Sequence, residues 1–238
     1  MDSEINEMFS GIYTKYDFMN HVLSLNFDKG WREEAAKEAL AGRKRCTILD
    51  AATGTGDLAI ELSRLASKRG IEVKIIGSDI NKGMLTVAKR KISRTDLNEI
   101  KLEVEDALRI GRRKEKFDIV TTGFSLRSFR FSRNGRSNLR RFVSGSYKIL
   151  KKGGKAVFLE MAMPDDKLQA VFFNAYKLPM GIVGRIGNPK AYPWLISTIS
   201  RFDKTELLED MREAGFSKIR LRSLRSGIAF LAIAEKAQ

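Results

Sequence analysis

Gly54, Gly56 and Ala59 stand in the spacing G-x-G-x-x-A, directly after the short apolar run Cys46–Ala52. Glycines so placed let a backbone turn tightly and approach a nucleotide, provided that a strand precedes them and a helix follows. The helix is signalled by Leu58, Leu62 and Leu65, which recur on one helical face. Acids gather around the turn. Asp50 lies near the end of the apolar run, Asp57 follows Gly56, Asp79 ends the next run 25 residues beyond Gly54, and Glu105-Asp106-Ala107 closes the third. Carboxylates there would repel the pyrophosphate of a dinucleotide. S-adenosylmethionine has no phosphate, and its ammonium and sulfonium groups are favoured by acids. Asp79 can accept from both ribose hydroxyls, since a carboxylate has two acceptor oxygens. An acid at the third strand end can accept from an adenine amino group. The pattern predicts S-adenosylmethionine, with S-adenosylhomocysteine as product, held by Asp50, Gly54, Gly56, Asp79 and an acid of the Glu105-Asp106 pair. Asp57 also reads as a helix cap, and the two roles are compatible.

The elements that must position these residues alternate. Apolar residues from Ile5 to Leu23 have helical spacing, and Asp28 is placed to cap a second helix through Trp31, Ala35, Ala36 and Leu40. Strands are predicted at Cys46–Ala52, Val73–Gly77, Ile100–Val104, Phe117–Thr122 and Lys155–Glu160. Helices are predicted after the glycine turn, after the cap residue Asn81, and over Leu139–Leu150. Asp203-Lys-Thr-Glu206 has the form of a capping box, and Lys218–Leu224 and Ile228–Ala234 read as an antiparallel pair. Such alternation predicts an α/β, Rossmann-like domain with a mostly parallel sheet covered by helices. Its parts are a helical cap over residues 1–42, a cofactor-binding core over 43–162, a lid or substrate insertion over 163–202, and a closing helix and strands over 203–238. The apolar stretch 170–183 is read either as packing on the core or as a lid over an apolar ligand; Lys177 and Pro179 argue against a membrane span.

The 238 residues, 43% hydrophobic and 31% charged, exclude a disordered chain or a small disulfide scaffold. One cysteine, Cys46, and one histidine, His21, exclude a site built from several of either and predict no metal. The lone cysteine suits a reducing cytoplasm. No run of 18 apolar residues occurs and the N-terminus is acidic, so neither a membrane span nor a secretory signal is expected. Glutamine is scarce, a weak thermophile signal. The net charge is +15. Ten bases lie between Asp118 and Glu160 with no intervening acid: Arg127, Arg130, Arg133, Arg136, Arg140, Arg141, Lys148, Lys151, Lys152 and Lys155. Such a run reads as a solvated face, an attraction to an anionic membrane surface, or a nucleic-acid groove.

Several blocks together resemble the ubiquinone/menaquinone biosynthesis C-methyltransferases. They are Met8-Phe-Ser-Gly-Ile12, Tyr16-Asp-Phe-Met-Asn20, Asp28-Lys-Gly-Trp-Arg32, Leu49–Ala59, Ser78-Asp-Ile80, Gly123-Phe-Ser-Leu-Arg127, Ala191-Tyr192 with Arg201-Phe202, and Ser226-Gly-Ile228. The resemblance covers about residues 5–235 and is most specific in its first and later blocks. It implies a class I methyltransferase with a seven-stranded sheet and helices on both faces, S-adenosylmethionine, and methylation of a ring carbon of a prenylated quinol. By position it implies cofactor contacts at Thr55, Asp79 with Ile80, Asp106 with Ala107, and Gly123. For the acceptor, Arg201 or Arg127 would polarise a phenolate, Tyr16, Asn20 and Tyr192 would orient the ring, and Asp17 is a candidate base ahead of His21. Three departures lie toward the acceptor side: Ser128 replaces the usual Asn, Thr14 a frequent His, and the basic run a commonly acidic stretch. Another lipid phenol remains an alternative. An RNA substrate ranks lower because no RNA-binding module is evident, and a non-catalytic binding protein lower still because the glycine turn is intact. A homodimer stays open, and a peripheral place at the inner face of the membrane would suit a prenylated substrate.

Overall fold

The computed structural model describes residues 24, 26–171, 173–175, 191–225 and 227–238. The predicted helix over residues 3–24 lies almost wholly outside them, as do residues 176–183 of the apolar stretch. Seven strands form one sheet: β1 (Arg45–Ala51), β2 (Glu72–Asp79), β3 (Ile100–Val104), β4 (Phe117–Gly123), β5 (Leu150–Met161), β6 (Ser217–Ser223) and β7 (Ala229–Glu235). Their order is β3-β2-β1-β4-β5-β7-β6. The first five are parallel, and β7 runs antiparallel to both neighbours. β6 and β7 pair as predicted, but β7 fills an interior place between β5 and β6.

Neighbouring residues along the central strands point to opposite faces. Ile48, Ile119, Val157 and Leu231 join one core with Trp31, Leu58 and Leu62. Leu49, Val120, Phe158 and Ala232 join the other with Phe129, Phe142 and Leu207. Both faces are therefore covered, which is why these strands read as continuous apolar runs. The first face is covered by α1 (Phe27–Leu40) and α2 (Asp57–Lys68), the second by α4 (Leu126–Arg130), α5 (Gly135–Ile149) and α7 (Lys204–Glu213). Helix α3 (Lys82–Ile92) packs beside β2 and β3, and α6 (Ala191–Arg201) precedes α7. A short 3-10 helix, Ala107–Arg112, lies so close to α5 that a Cβ on Gly111 would be 2.9 Å from the Gly145 Cα.

The structure corrects two local expectations. Asp28 does not cap α1. Asn26 holds the cap position in left-handed conformation, and Asp28 sits buried in the first turn beside Arg32. Only half of the capping box forms: Asp203 accepts from the Thr205 N–H at 2.7 Å, while Glu206 turns to Arg130. Six bases of the basic run pair with acids within the fold. Arg130 meets Glu206 at 2.5 Å, Arg136 meets Glu209 at 2.6 Å, and Arg140 meets Asp210 at 2.8 Å. Arg127 pairs with Glu160, Lys151 with Asp118 and Lys155 with Glu38. The acids of the first three pairs lie on α7, 70–76 residues further along the chain, so no local reading of the run could find them.

Among the described residues, no helix is long and apolar enough to cross a membrane. None of these residues forms a group of three or more His, Cys, Asp or Glu placed to hold a metal ion.

Candidate functional site

The chain leaves β1 toward β2 on one side, while β4 lies on the other. The crevice at such a reversal of strand order is where ligands enter this class of sheet. A cleft opens there, bordered by Asp50, Thr53, Gly54, Thr55, Asp79 and Gly123 from the strand ends. Gly54 and Gly56 have φ of 58° and 83°, conformations that a side chain would strain. Ala52 and Phe124 border the same cleft with φ of 53° and 61° despite carrying side chains. Backbone strain at two adjoining strand ends is of the kind that clusters at ligand sites.

Asp50 is fully buried. Thr53 Oγ1 donates to it at 2.6 Å and Thr121 Oγ1 at 2.8 Å. Removal from water pushes its carboxyl up to about 6, against the opposing pull of both hydroxyls. Asp79 accepts from the Gly54 N–H at 2.9 Å and the Asn81 N–H at 2.8 Å. Burial raises its pKa also, with those backbone donors opposing. Asp79 thus ties the glycine turn to the end of β2, and its oxygens have acceptor capacity beyond those two bonds. Asn81 caps α3 as predicted, accepting from the Met84 N–H at 3.1 Å. A cationic ligand beside Asp50 would offset its loss of water, and an anionic one would add to it. The donor set therefore fits S-adenosylmethionine.

Other predicted cofactor residues stand differently. Ile80 follows Asp79, and Gly56 is the N-cap of α2, both just outside the cleft wall. Asp106 accepts from the Leu108 N–H at 3.0 Å and caps the 3-10 helix, with Ala107 buried behind it. Neither borders the cleft. Glu105 is taken by Arg113, at 2.8 and 2.9 Å. Asp57 is not a free acid either: Lys91 forms an ion pair with it and also donates to Thr55 Oγ1 at 3.2 Å. This pair fastens α3 to the glycine turn.

The model of the ubiE/COQ5 methyltransferase family matches residues 1–236. The chain belongs to the ubiE/COQ5 methyltransferase family. The demethylmenaquinone methyltransferase of Deinococcus radiodurans is 38% identical over 237 residues, covering 98% of this chain and 92% of the relative. The ubiquinone/menaquinone biosynthesis C-methyltransferase of Rickettsia bellii is 31% identical over 241 residues, covering 98% and 93%. Among solved structures, an O-methyltransferase family protein from Burkholderia thailandensis aligns with a TM-score of 0.67 at 17% identity, covering 93% of this chain and 59% of that one. Human N-acetylserotonin methyltransferase in complex with S-adenosylmethionine aligns at 0.62 and 18%, covering 98% and 59%. These two structures share the fold. This family member is an S-adenosylmethionine-dependent methyltransferase of class I, with the seven-stranded sheet that the resemblance implied.

On the acceptor side Arg127 is buried and paired. Its side chain is 3% exposed, donates from Nε to Glu160 Oε1 at 2.7 Å, and reaches Thr198 Oγ1 on α6 at 3.1 Å. It is a buried tie between α4, β5 and α6, with its charge already answered. Arg201 is exposed and stacks over Phe131, its Cζ 4.9 Å from the ring centroid. Tyr16, Asp17, Asn20 and His21 lie outside the described residues, and of Tyr192 only the backbone, in α6, is described. The cleft also contains residues that sequence reasoning missed: Arg32, Met84, Phe124, Ser125 and Ser128. For Arg32 a signal existed, because Asp28 and Arg32 are four residues apart in a helix, the spacing of an ion pair.

Proposed function

We propose that this methyltransferase acts on a ring carbon of a prenylated quinol of the demethylmenaquinol type, in quinone biosynthesis. The observation that carries the reading is the family match over residues 1–236, which includes the acceptor side as well as the glycine turn. The names of the relatives from Deinococcus and Rickettsia support the same acceptor class.

S-adenosylmethionine supplies an electrophilic methyl group. Asp79 holds the ribose and stiffens the glycine turn, and Asp50 keeps a negative or shared-proton site at the end of β1. The acceptor ring must rest about 3–3.5 Å from the methyl carbon. Its carbon becomes nucleophilic as the neighbouring hydroxyl loses a proton. Arg201 or Arg127 stabilises the phenolate; Arg201 is exposed, and Arg127 is held by Glu160. Tyr16, Asn20 and Tyr192 orient the ring, and Asp17 is the candidate base. Attraction to an anionic membrane surface belongs to the same reading. Internal pairing leaves the excess of fifteen positive charges unchanged, and the prenyl tail resides in lipid.

The test is transfer of labelled methyl from S-adenosylmethionine, with a demethylated prenylnaphthoquinol in vesicles and bulk RNA offered side by side. Label is expected in the lipid extract, faster from anionic than from neutral vesicles, with that advantage shrinking as salt rises. Label in RNA would overturn the acceptor. Equal rates from both vesicle types would remove the electrostatic part alone.

A further inference from the structure

Arg32 borders the cleft yet has no part in the ribose or acceptor contacts assigned so far. We propose that it binds the α-carboxylate at the methionyl end of the cofactor, with Asp28 as the positioning residue that aims it. The proposal rests on the S-adenosylmethionine reading.

Strand order sets the direction. With the ribose on Asp79 at the end of β2, the base extends toward β3, and the amino-acid end must extend toward β1 and β4. Arg32 stands at that end. Its Cζ lies 5.5 Å from the centroid of the Phe124 ring, just past β4, and its Nη2 lies 3.6 Å from Asp57 Oδ2 beside the glycine turn. That second separation gives attraction without a hydrogen bond. The guanidinium thus spans the two loops between which the amino-acid end would lie.

Charge supports the same assignment. Two acids of the cleft, Asp50 and Asp79, suit the ammonium and sulfonium but repel a carboxylate, while the third, Asp57, is paired with Lys91. Arg32 is the one Lys or Arg among the described residues that border it. A carboxylate entering this acidic site needs a cation, and a planar guanidinium suits it because two N–H groups can bind both oxygens.

Arg32 is also held in advance. It is 8% exposed, and its Nη1 donates to Asp28 Oδ2 at 2.5 Å. Asp28 is 2% exposed and in turn accepts from Ser24 Oγ at 2.7 Å. Trp31, one residue earlier on α1, packs on the Phe124 ring with centroids 6.1 Å apart. The aromatic floor and the Asp28 anchor fix the guanidinium before a ligand arrives, so little conformational freedom is lost on binding.

The experiment compares adenosyl ligands that differ at this end, by calorimetry on the full chain. S-adenosylhomocysteine carries the carboxylate; 5′-methylthioadenosine lacks the whole amino-acid end. Arg32→Ala and Arg32→Lys are expected to weaken S-adenosylhomocysteine roughly ten- to a hundredfold while moving 5′-methylthioadenosine less than about twofold. Asp28→Asn should give a smaller loss with the same selectivity. Equal weakening of both ligands, or none, would overturn the proposal. The native protein supplies a test that needs no variant: S-adenosylmethionine should bind at least about tenfold more tightly than its decarboxylated form, and parity would overturn the assignment. If the native protein binds neither S-adenosylhomocysteine nor 5′-methylthioadenosine, the cofactor reading itself fails, and the Arg32 assignment with it.

Discussion

The cleft and the seam that α7 makes with α4 and α5 are built from the same charged residue types arranged in opposite ways. Along the seam Arg130 meets Glu206, Arg136 meets Glu209, and Arg140 meets Asp210 and Glu213. Most of these side chains are partly exposed, so water screens their attraction. In the cleft, Asp50 and Asp79 are buried, and their hydrogen-bond partners are hydroxyl and backbone N–H groups. The seam settles its charge internally and gives shape. The cleft leaves negative charge incompletely answered, so a cationic ligand gains there what the protein itself does not supply.

The largest test of this contrast is Asp79→Ala. It removes the ribose acceptor together with the bonds to the Gly54 and Asn81 N–H groups. Binding of S-adenosylhomocysteine and 5′-methylthioadenosine should fall together, on the order of a hundredfold or more. A loss confined to one ligand would break the comparison, because the ribose is common to both.

Asp50 offers a test of intermediate size. An ordinary carboxyl here would ionise near 3.8, and burial raises this one to about 6. Between those values the folded chain holds more protons than the unfolded chain, so stability falls as pH rises through the window, and the loss is complete above about pH 6. Asp50→Asn should therefore raise stability at pH 7 by up to about 3 kcal/mol and change it little below pH 4. Denaturant melts at both values would read this. Destabilisation at pH 7 would show that the hydroxyl pair outweighs burial. The smallest effect is expected at the seam. Glu206→Ala, which frees Arg130, should cost within about 1 kcal/mol and less in high salt. A larger loss would mean that the seam acts as one network.

How far the sequence spoke depended on how local the cause was. Strands β1 to β4, the glycine turn and the Asn81 cap were legible because periodicity, φ requirements and capping act within a few residues. Asp79 was legible because the spacing from the glycines to the second strand end is a property of one β-α-β unit. The partners of Arg127 were not legible, since Glu160 and Thr198 reach it from 33 and 71 residues away. The pairing of the basic run was hidden for the same reason: the acids that meet Arg130, Arg136 and Arg140 lie on a helix across the fold. The interior place of β7 was also hidden, because two apolar runs at a chain end do not say which of them borders β5. Arg32 is the instructive miss. Its pairing with Asp28 is local, but its position beside Phe124 depends on how α1 lies against the sheet.

The place of β7 bears on how the protein comes into being. Its pairs with β5 join Lys155 to Glu235 and Met161 to Ala229, so each bridges roughly seventy to eighty residues. During synthesis the parallel strands can assemble while the outer side of β5 still lacks its neighbour. That side presents unpaired N–H and C=O groups beside Val157 and Leu159, the kind of edge on which another nascent chain can template. Ribosomes spaced along one message would hold several such edges close together. The interval between making residue 161 and releasing residue 235 is thus a window of vulnerability, and pauses in translation there would govern yield without touching the finished enzyme.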